Sequence, residues 1–278
     1  MSDSTSVDAD LLKWRNELEA RLRADDGWLT LAGLHWLHEG ENSVGGDLGC
    51  DVALPAANVP PRLGVIAFRD GVATLHLATN APVTVDGEPL PVRSSALLHP
   101  DSAEGGPSVV TVGTVSFFVI KREAQYGIRV RDLNAPARQT FTGRRWYAID
   151  PVYRLTAQFT AHPTPRQITI INSVGISVPM NNPGWIDFTL NRQALRLEAF
   201  DTDKGSLWFI FKDATNGETT YGAGRFLVAA LHEDGTVALD FNRAYSPPCA
   251  FTPYATCPLP PRENMLTVRV EAGEQYYG

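Results

Sequence analysis

The chain has 278 residues, 44% of them hydrophobic and 20% charged, a globular balance with enough apolar residues for a full core. A net charge of −7 argues against nucleic acid or an anionic membrane surface as the main partner. No apolar run reaches the roughly 18 residues of a membrane span. Residues 1–10 are polar and acidic, without the basic-then-apolar order of a secretory signal. Three cysteines in such a chain fit a reducing cytoplasm, where they stay thiols.

Residues 7–23 predict an amphipathic helix. Leu11, Trp14, Leu18 and Leu22 fall at helical spacing among Arg15, Glu17, Glu19, Arg21 and Arg23. Residues 28–37 are strongly apolar and read as a strand broken at Gly33. His35 and His38 lack the further ligands a metal site needs, so they read as structural or solvent-facing. The first segment is set at 1–39.

Residues 40–132 read as a β-sandwich. Short β-type runs at 65–68, 74–77, 83–85, 109–112 and 115–120 are separated by turn signals, including Asp70-Gly71 and Asp86-Gly87. The order G-E-N-S-V-G-G-D-L-G-C-D-V-A-L-P, V-T-V-D-G-E-P-L, T-V-G-T-V-S-F-F-V-I resembles that of forkhead-associated domains, β-sandwiches that bind phosphothreonine. The resemblance implies the architecture. Its phosphate-binding arginine would fall near Gly46 and its Ser-x-x-His step near Pro60-Pro61-Arg62, so phosphopeptide binding is not expected to carry over.

Residues 133–166 read as an interdomain connection, dense in Arg144, Arg145, Tyr147, Asp150 and Tyr153. Residues 167–278 read as an antiparallel barrel or strongly curved sheet. Ile186, Phe188 and Leu190 fall on one face of a strand, Trp185, Asp187 and Thr189 on the other. The Asp201–Gly205 stretch reads as a hairpin turn rather than a calcium loop. The fold class is therefore mainly β: an N-terminal helix, a forkhead-associated-like sandwich, then the barrel.

Residues 240–264, D-F-N-R-A-Y-S-P-P-C-A-F-T-P-Y-A-T-C-P-L-P-P-R-E-N, are too proline-rich for a helix or interior strand and too apolar to float in water. They predict a long ordered loop over the hydrophobic body, of the kind that carries function. Cys249 and Cys257 are open to four readings: zinc ligands, a disulfide, a nucleophile with its base, or packing thiols, the last preferred because no co-ligands or base are identifiable. Arg225, in Y-G-A-G-R-F, reads as a buried anion anchor, with Asp240 or Glu263 as its alternative partner. No G-x-S-x-G, H-E-x-x-H or Walker motif is present.

Together with D-G-W-L-T-L-A-G-L-H-W-L and F-K-D-A-T-N-G-E-T-T-Y-G-A-G-R-F, the 240–264 motif resembles a bacterial family known only as a domain of unknown function, from about residue 10 to 277. The resemblance implies that Asn242, Tyr245, Cys249, Thr252, Tyr254, Cys257 and Asn264 are signature positions. The function expected is binding of a small anionic molecule, with hydrolysis as the chemistry considered, in a pocket under the loop. Arg225, Tyr221, Asn242, Tyr245, Tyr254, Cys249 and Cys257 would line it, with no metal and no cofactor. The alternative is a non-catalytic module that binds a protein through the sandwich.

Overall fold

The computed structural model describes residues 2–55, 59–202 and 205–276. Its backbone contacts divide it into two compact units, one of residues 22–141 and one of residues 1–21 with 142–278.

In the first unit, strands β1 (Leu31–Trp36), β2 (Gly40–Gly45), β3 (Val52–Ala53), β4 (Gly64–Arg69), β5 (Val72–Leu77), β6 (Thr84–Val85), β7 (Glu88–Pro89), β8 (Ser95–Leu98), β9 (Val110–Val112), β10 (Val115–Arg122) and β11 (Gln125–Asp132) form two sheets. Their orders are β1-β11-β10-β9-β6-β7 and β3-β2-β4-β5-β8. Ile66, Leu75 and Leu98 of one sheet share a core with Phe117, Val119 and Ile128 of the other, which defines a sandwich. Asp70-Gly71 and Asp86-Gly87 both have positive φ at both positions, the hairpin geometry their sequence predicts. The register of β1 slips between Leu31 and Gly33, beside the predicted break.

The second unit opens with helix α1 (Ser2–Arg23). Leu11 and Leu22 are fully buried, and Trp14 and Leu18 partly so. Arg15, expected on the polar face, is buried too: its Nη2 donates to Asn242 O at 3.0 Å and its guanidinium lies 4.4 Å over Trp146. Strands β12 (Arg145–Trp146), β13 (Arg154–Ile171), β14 (Ser177–Leu190), β15 (Gln193–Asp201), β16 (Ser206–Phe211), β17 (Arg225–Ala230), β18 (Thr236–Asp240) and β19 (Glu274–Gln275) follow. β12 pairs with β19. The others form one antiparallel sheet, β17-β16-β15-β14-β13-β18. The Leu231–Val237 bridge brings β18 back beside β17, so the sheet nearly closes into a barrel.

Residues 154–166, read from their polar density as connection, belong to β13, the longest strand; Arg154 to Gln158 pair with β18. Surface charge had masked the alternation of Leu155, Ala157 and Phe159. The turn residues Asp203 and Lys204 lie outside the described residues.

The barrel interior is full. Ile186, Phe209, Phe211, Leu227 and Leu239 meet Phe241 and, from beyond the loop, Leu266, Val268, Val270 and Ala272. The plug is thus the alternating segment 266–272 together with Phe241 and Ala244 from the start of the 240–264 loop, and the rest of the loop lies elsewhere. It covers the outer face of the wall, where Phe200, Ile210 and Phe226 pack with Ala255, Cys257, Tyr245 and Cys249. β16 is buried on both faces for that reason.

At the β14–β15 hairpin, Asn191 and Arg192 both adopt positive φ (51° and 62°). Asparagine tolerates this conformation better than arginine does. Arg192→Gly is expected to raise stability by about 0.5–1 kcal/mol, read as a higher urea midpoint at unchanged slope.

Candidate functional site

Past Asp240, which ends β18, residues 241–264 are irregular apart from three 3-10 turns, Phe241–Arg243, Pro248–Ala250 and Arg262–Asn264. Paired prolines deny the chain ladder donors, so side chains and isolated bridges fasten the loop. At its start Tyr245 and Phe226 exchange both backbone hydrogen bonds, at 2.8 and 2.9 Å. At its end Asn264, fully buried, donates from Nδ2 to Glu198 O (2.9 Å) and Ile210 O (3.0 Å) and accepts from Glu198 N (2.7 Å). β15 and β16 pair only at Phe200–Trp208 and Asp201–Leu207, so this amide stands in for a missing rung. Gly224 (φ 109°) lets the loop approach: a Cβ there would lie 2.6 Å from Pro260 Cγ.

Several residues expected to line a pocket are placed in the framework instead. Arg225 is fully buried; its Nη2 pairs with Asp213 Oδ2 at 2.7 Å and donates to Val270 O at 2.9 Å, and its Nη1 donates to Ala272 O. Its partner is Asp213, not Asp240 or Glu263. Burial drives this arrangement, because a guanidinium out of water needs both a carboxylate and carbonyl acceptors. Asn242 is equally enclosed: Nδ2 donates to Asp150 O (3.0 Å) and Asp240 Oδ1 (2.8 Å), and Oδ1 accepts from Asp150 N (3.1 Å). Tyr221 donates to Cys249 O at 2.8 Å, and burial pushes its phenol up. Tyr254 is half-buried, its backbone N–H bonded to Thr252 Oγ1 at 3.3 Å. Cys249 N donates to Cys257 Sγ at 3.3 Å.

Tyr245 differs. Its ring meets Phe226 on one side (5.8 Å) and Trp14 on the other (6.0 Å), and it opens onto a cleft of about 570 Å³. Trp14, Leu18 and Arg21 of α1, Thr202, Ser206, Val228 and Arg243 complete the lining. The Arg243 guanidinium lies 5.4 Å over the Trp14 ring. Among the described residues, neither Arg21 nor Arg243 has a carboxylate within ion-pair distance, unlike Arg144, Arg154 and Arg225. A second hollow, lined by Val7, Arg154 and β17–β18 residues, shares Val228 and Arg243 and so adjoins it. Trp14, Leu18 and Arg21 recur at i, i+4, i+7, a shared face readable from spacing, and Arg243 stands inside the loop motif. Reading the arginines of a helix as its solvent face hid Arg21.

Below the cleft, Glu274 is 2% exposed; it pairs with Arg144 Nη1 at 2.5 Å and accepts from Ser246 N at 2.7 Å. Arg144 also stacks 4.6 Å over Phe251. Burial raises the Glu274 carboxyl to about 7, Arg144 opposing. Between its ordinary 4.5 and about 7 the folded chain keeps a proton that the unfolded chain has lost. Stability should therefore fall as pH rises across that window, by up to about 3 kcal/mol from this group. Urea midpoints at pH 5 and 7.5 measure it, and Glu274→Gln should remove the decline.

A further polar cluster, not read from the sequence, sits at the bulge of β13. His162 Nε2 contacts Asn182 Oδ1 (2.7 Å) and Glu198 Oε2 (3.5 Å), and Arg166 Nη2 pairs with Glu198 Oε1 (3.1 Å). His162 is thus engaged by Glu198 and Asn182. In the sandwich, Gly46 N bonds Pro60 O at 2.8 Å, and a Cβ at Gly46 would lie 2.7 Å from Val59 O. No helix among the described residues is long and apolar enough to cross a membrane.

A helix-fronted, nearly closed barrel with an outer loop, preceded in the chain by a sandwich, is the class these elements define. Residues 139–275 match the family described as "Protein of unknown function (DUF1684)". An uncharacterized protein from Haloarcula marismortui, solved by NMR in solution, is 33% identical over 50% of this chain and 78% of that one, with a TM-score of 0.43. The chain belongs to the DUF1684 family. It is also similar to the FhaA FHA domain complexed with the intracellular domain of Rv3910: 22% identity, 35% of this chain, 97% of that one, TM-score 0.25. The N-terminal FHA domain of S. cerevisiae Rad53p in complex with a phosphothreonine peptide gives 16%, 40%, 77% and 0.23. Among curated proteins none matches.

Proposed function

We propose that this protein binds a small anionic molecule with a flat or apolar body in the cleft between α1 and the barrel, in the cytoplasm. The observation that carries the reading is the pair of arginines without carboxylate partners, Arg21 and Arg243, converging on the Trp14 and Tyr245 rings. Exposed cations over aromatic rings bind anions by charge and aryl or alkyl groups by stacking. Thr202 and Ser206 add polar groups at the rim. Pockets of this size, apolar with a few convergent polar groups, suit ligands of metabolite dimensions. Arg225, expected to hold the anion, instead anchors the scaffold that positions Tyr245 through Phe226.

Thermal-shift screening with benzoate and phenyl phosphate tests this, followed by calorimetry. The wild-type midpoint should rise with concentration, and Arg243→Gln should weaken affinity about tenfold, the loss of one charge-assisted hydrogen bond. Unchanged affinity in the Arg21→Gln/Arg243→Gln double variant would remove the cleft as the site.

A further inference from the structure

The small core under the loop contains a second set of chemical groups that the cleft does not use. Cys249 is the middle residue of the 3-10 turn Pro248–Ala250 and is half-buried, whereas Cys257 is 5% exposed. The amide of Cys249 donates to Cys257 Sγ at 3.3 Å. That contact seats the backbone of Cys249 directly on the Cys257 sulfur, although eight residues separate the two in sequence. Cys257 is held from behind: its N–H donates to Ser173 Oγ (3.1 Å) and its carbonyl accepts from Ser173 N (2.8 Å). The Tyr221 hydroxyl, 2.8 Å from Cys249 O, completes the set.

We propose that Cys249 and Cys257 form a redox-active dithiol that reduces a small hydroperoxide, Cys249 attacking and Cys257 resolving. The unequal exposure assigns the roles, since Cys249 is the more accessible of the two. The partial burial of Cys249 favours an oxidant of a few atoms, such as a hydroperoxide, over a protein disulfide as the substrate class. In the first step the Cys249 thiolate attacks the terminal oxygen of the peroxide. The O–O bond breaks, the sulfur becomes a sulfenic acid, and the alkoxide (hydroxide, from hydrogen peroxide) leaves with a proton. In the second step Cys257 sulfur attacks Cys249 sulfur; the S–O bond breaks and the hydroxide departs as water with the Cys257 proton. Two thiols lose two electrons in all, and the peroxide is reduced to an alcohol and water.

The electrostatics agree with this assignment. The neighbouring Cys257 side chain is the leading influence that, against burial, brings the Cys249 thiol down to about 7. A thiol ionised near neutrality is the attacking partner in such chemistry.

The test uses the full chain with Cys50→Ser and hydrogen peroxide as the probe, read by mass spectrometry. A disulfide joining Cys249 to Cys257 within one molecule should form, with a rate that rises through pH 7. At pH 7 it should be roughly threefold faster than free cysteine, from the greater thiolate fraction less its lower nucleophilicity. Cys257→Ser should stop at a sulfenic acid trapped by dimedone. The wild-type chain in glutathione redox buffers gives an independent reading without further variants, and should show the same pair oxidising as a two-electron couple. Oxidation no faster than free cysteine, cross-links only between molecules, or a Cys249 rate that does not change through pH 7 would overturn the proposal.

Discussion

Arg225→Ala is expected to lower stability by about 3–5 kcal/mol, the cost of leaving a buried carboxylate without its partner. Asp213 has no exposed side-chain surface, and its Oδ1 is already committed to Thr215 N (2.9 Å), Thr215 Oγ1 (2.6 Å) and Val270 N (3.1 Å). Removing the guanidinium also orphans the Val270 and Ala272 carbonyls, the points at which the 266–272 plug is tied to β17. The plug should loosen first. Hydrogen exchange at Leu266 to Ala272 should accelerate ahead of the sandwich, and the urea midpoint should fall. Arg225→Lys keeps a charge but not the planar fork, and should recover less than half of the loss. Arg225→Ala with Asp213→Ala should cost less than the sum of the two single changes, because the second removes the carboxylate stranded by the first. A small effect of Arg225→Ala on stability would return this residue to the role of an anion anchor.

Asn264→Ala is the second large expectation, about 3 kcal/mol. The amide satisfies Glu198 N–H, Glu198 C=O and Ile210 C=O, three backbone groups that no strand neighbour reaches. Asn264→Asp should be no better, since it keeps the acceptor, loses both donors and introduces a charge at a fully buried position. Equilibrium unfolding of the two variants measures this. A loss below about 1 kcal/mol would mean that β15 and β16 hold together without the loop.

The fold was legible where local chemistry decides it. The Asp-Gly hairpins, the alternation through Ile186, Phe188 and Leu190, and the stripe of Leu11, Trp14, Leu18 and Leu22 each appear as the residues dictate. The loop at 240–264 was legible too, because proline excludes the regular alternatives. What escaped are pairings between distant residues. Nothing in Y-G-A-G-R-F names Asp213 as the partner of Arg225, and nothing in the loop marks the 266–272 segment as the plug. Arg15 and Arg21 illustrate the same limit on one helix: both look like surface charges, yet one is buried against Asn242 and the other edges the cleft. Of the pocket residues expected, Tyr245 lines the cleft, Cys249 and Cys257 lie under the loop as neighbours, and Arg225 and Asn242 became framework.

The loop has a scaffold part, held by Asn242 and Asn264 beside the buried Arg225 of β17, and a ligand-facing end at Arg243 and Tyr245. A titration of the full chain with phenyl phosphate, followed by proton–nitrogen NMR, tests that division most directly. The account predicts saturable shifts of the Trp14 indole N–H and of the Arg21 and Arg243 Nε–H signals, with Arg225 unmoved. Shifts centred on Arg225 and Asp213, or confined to residues 22–141, would contradict it.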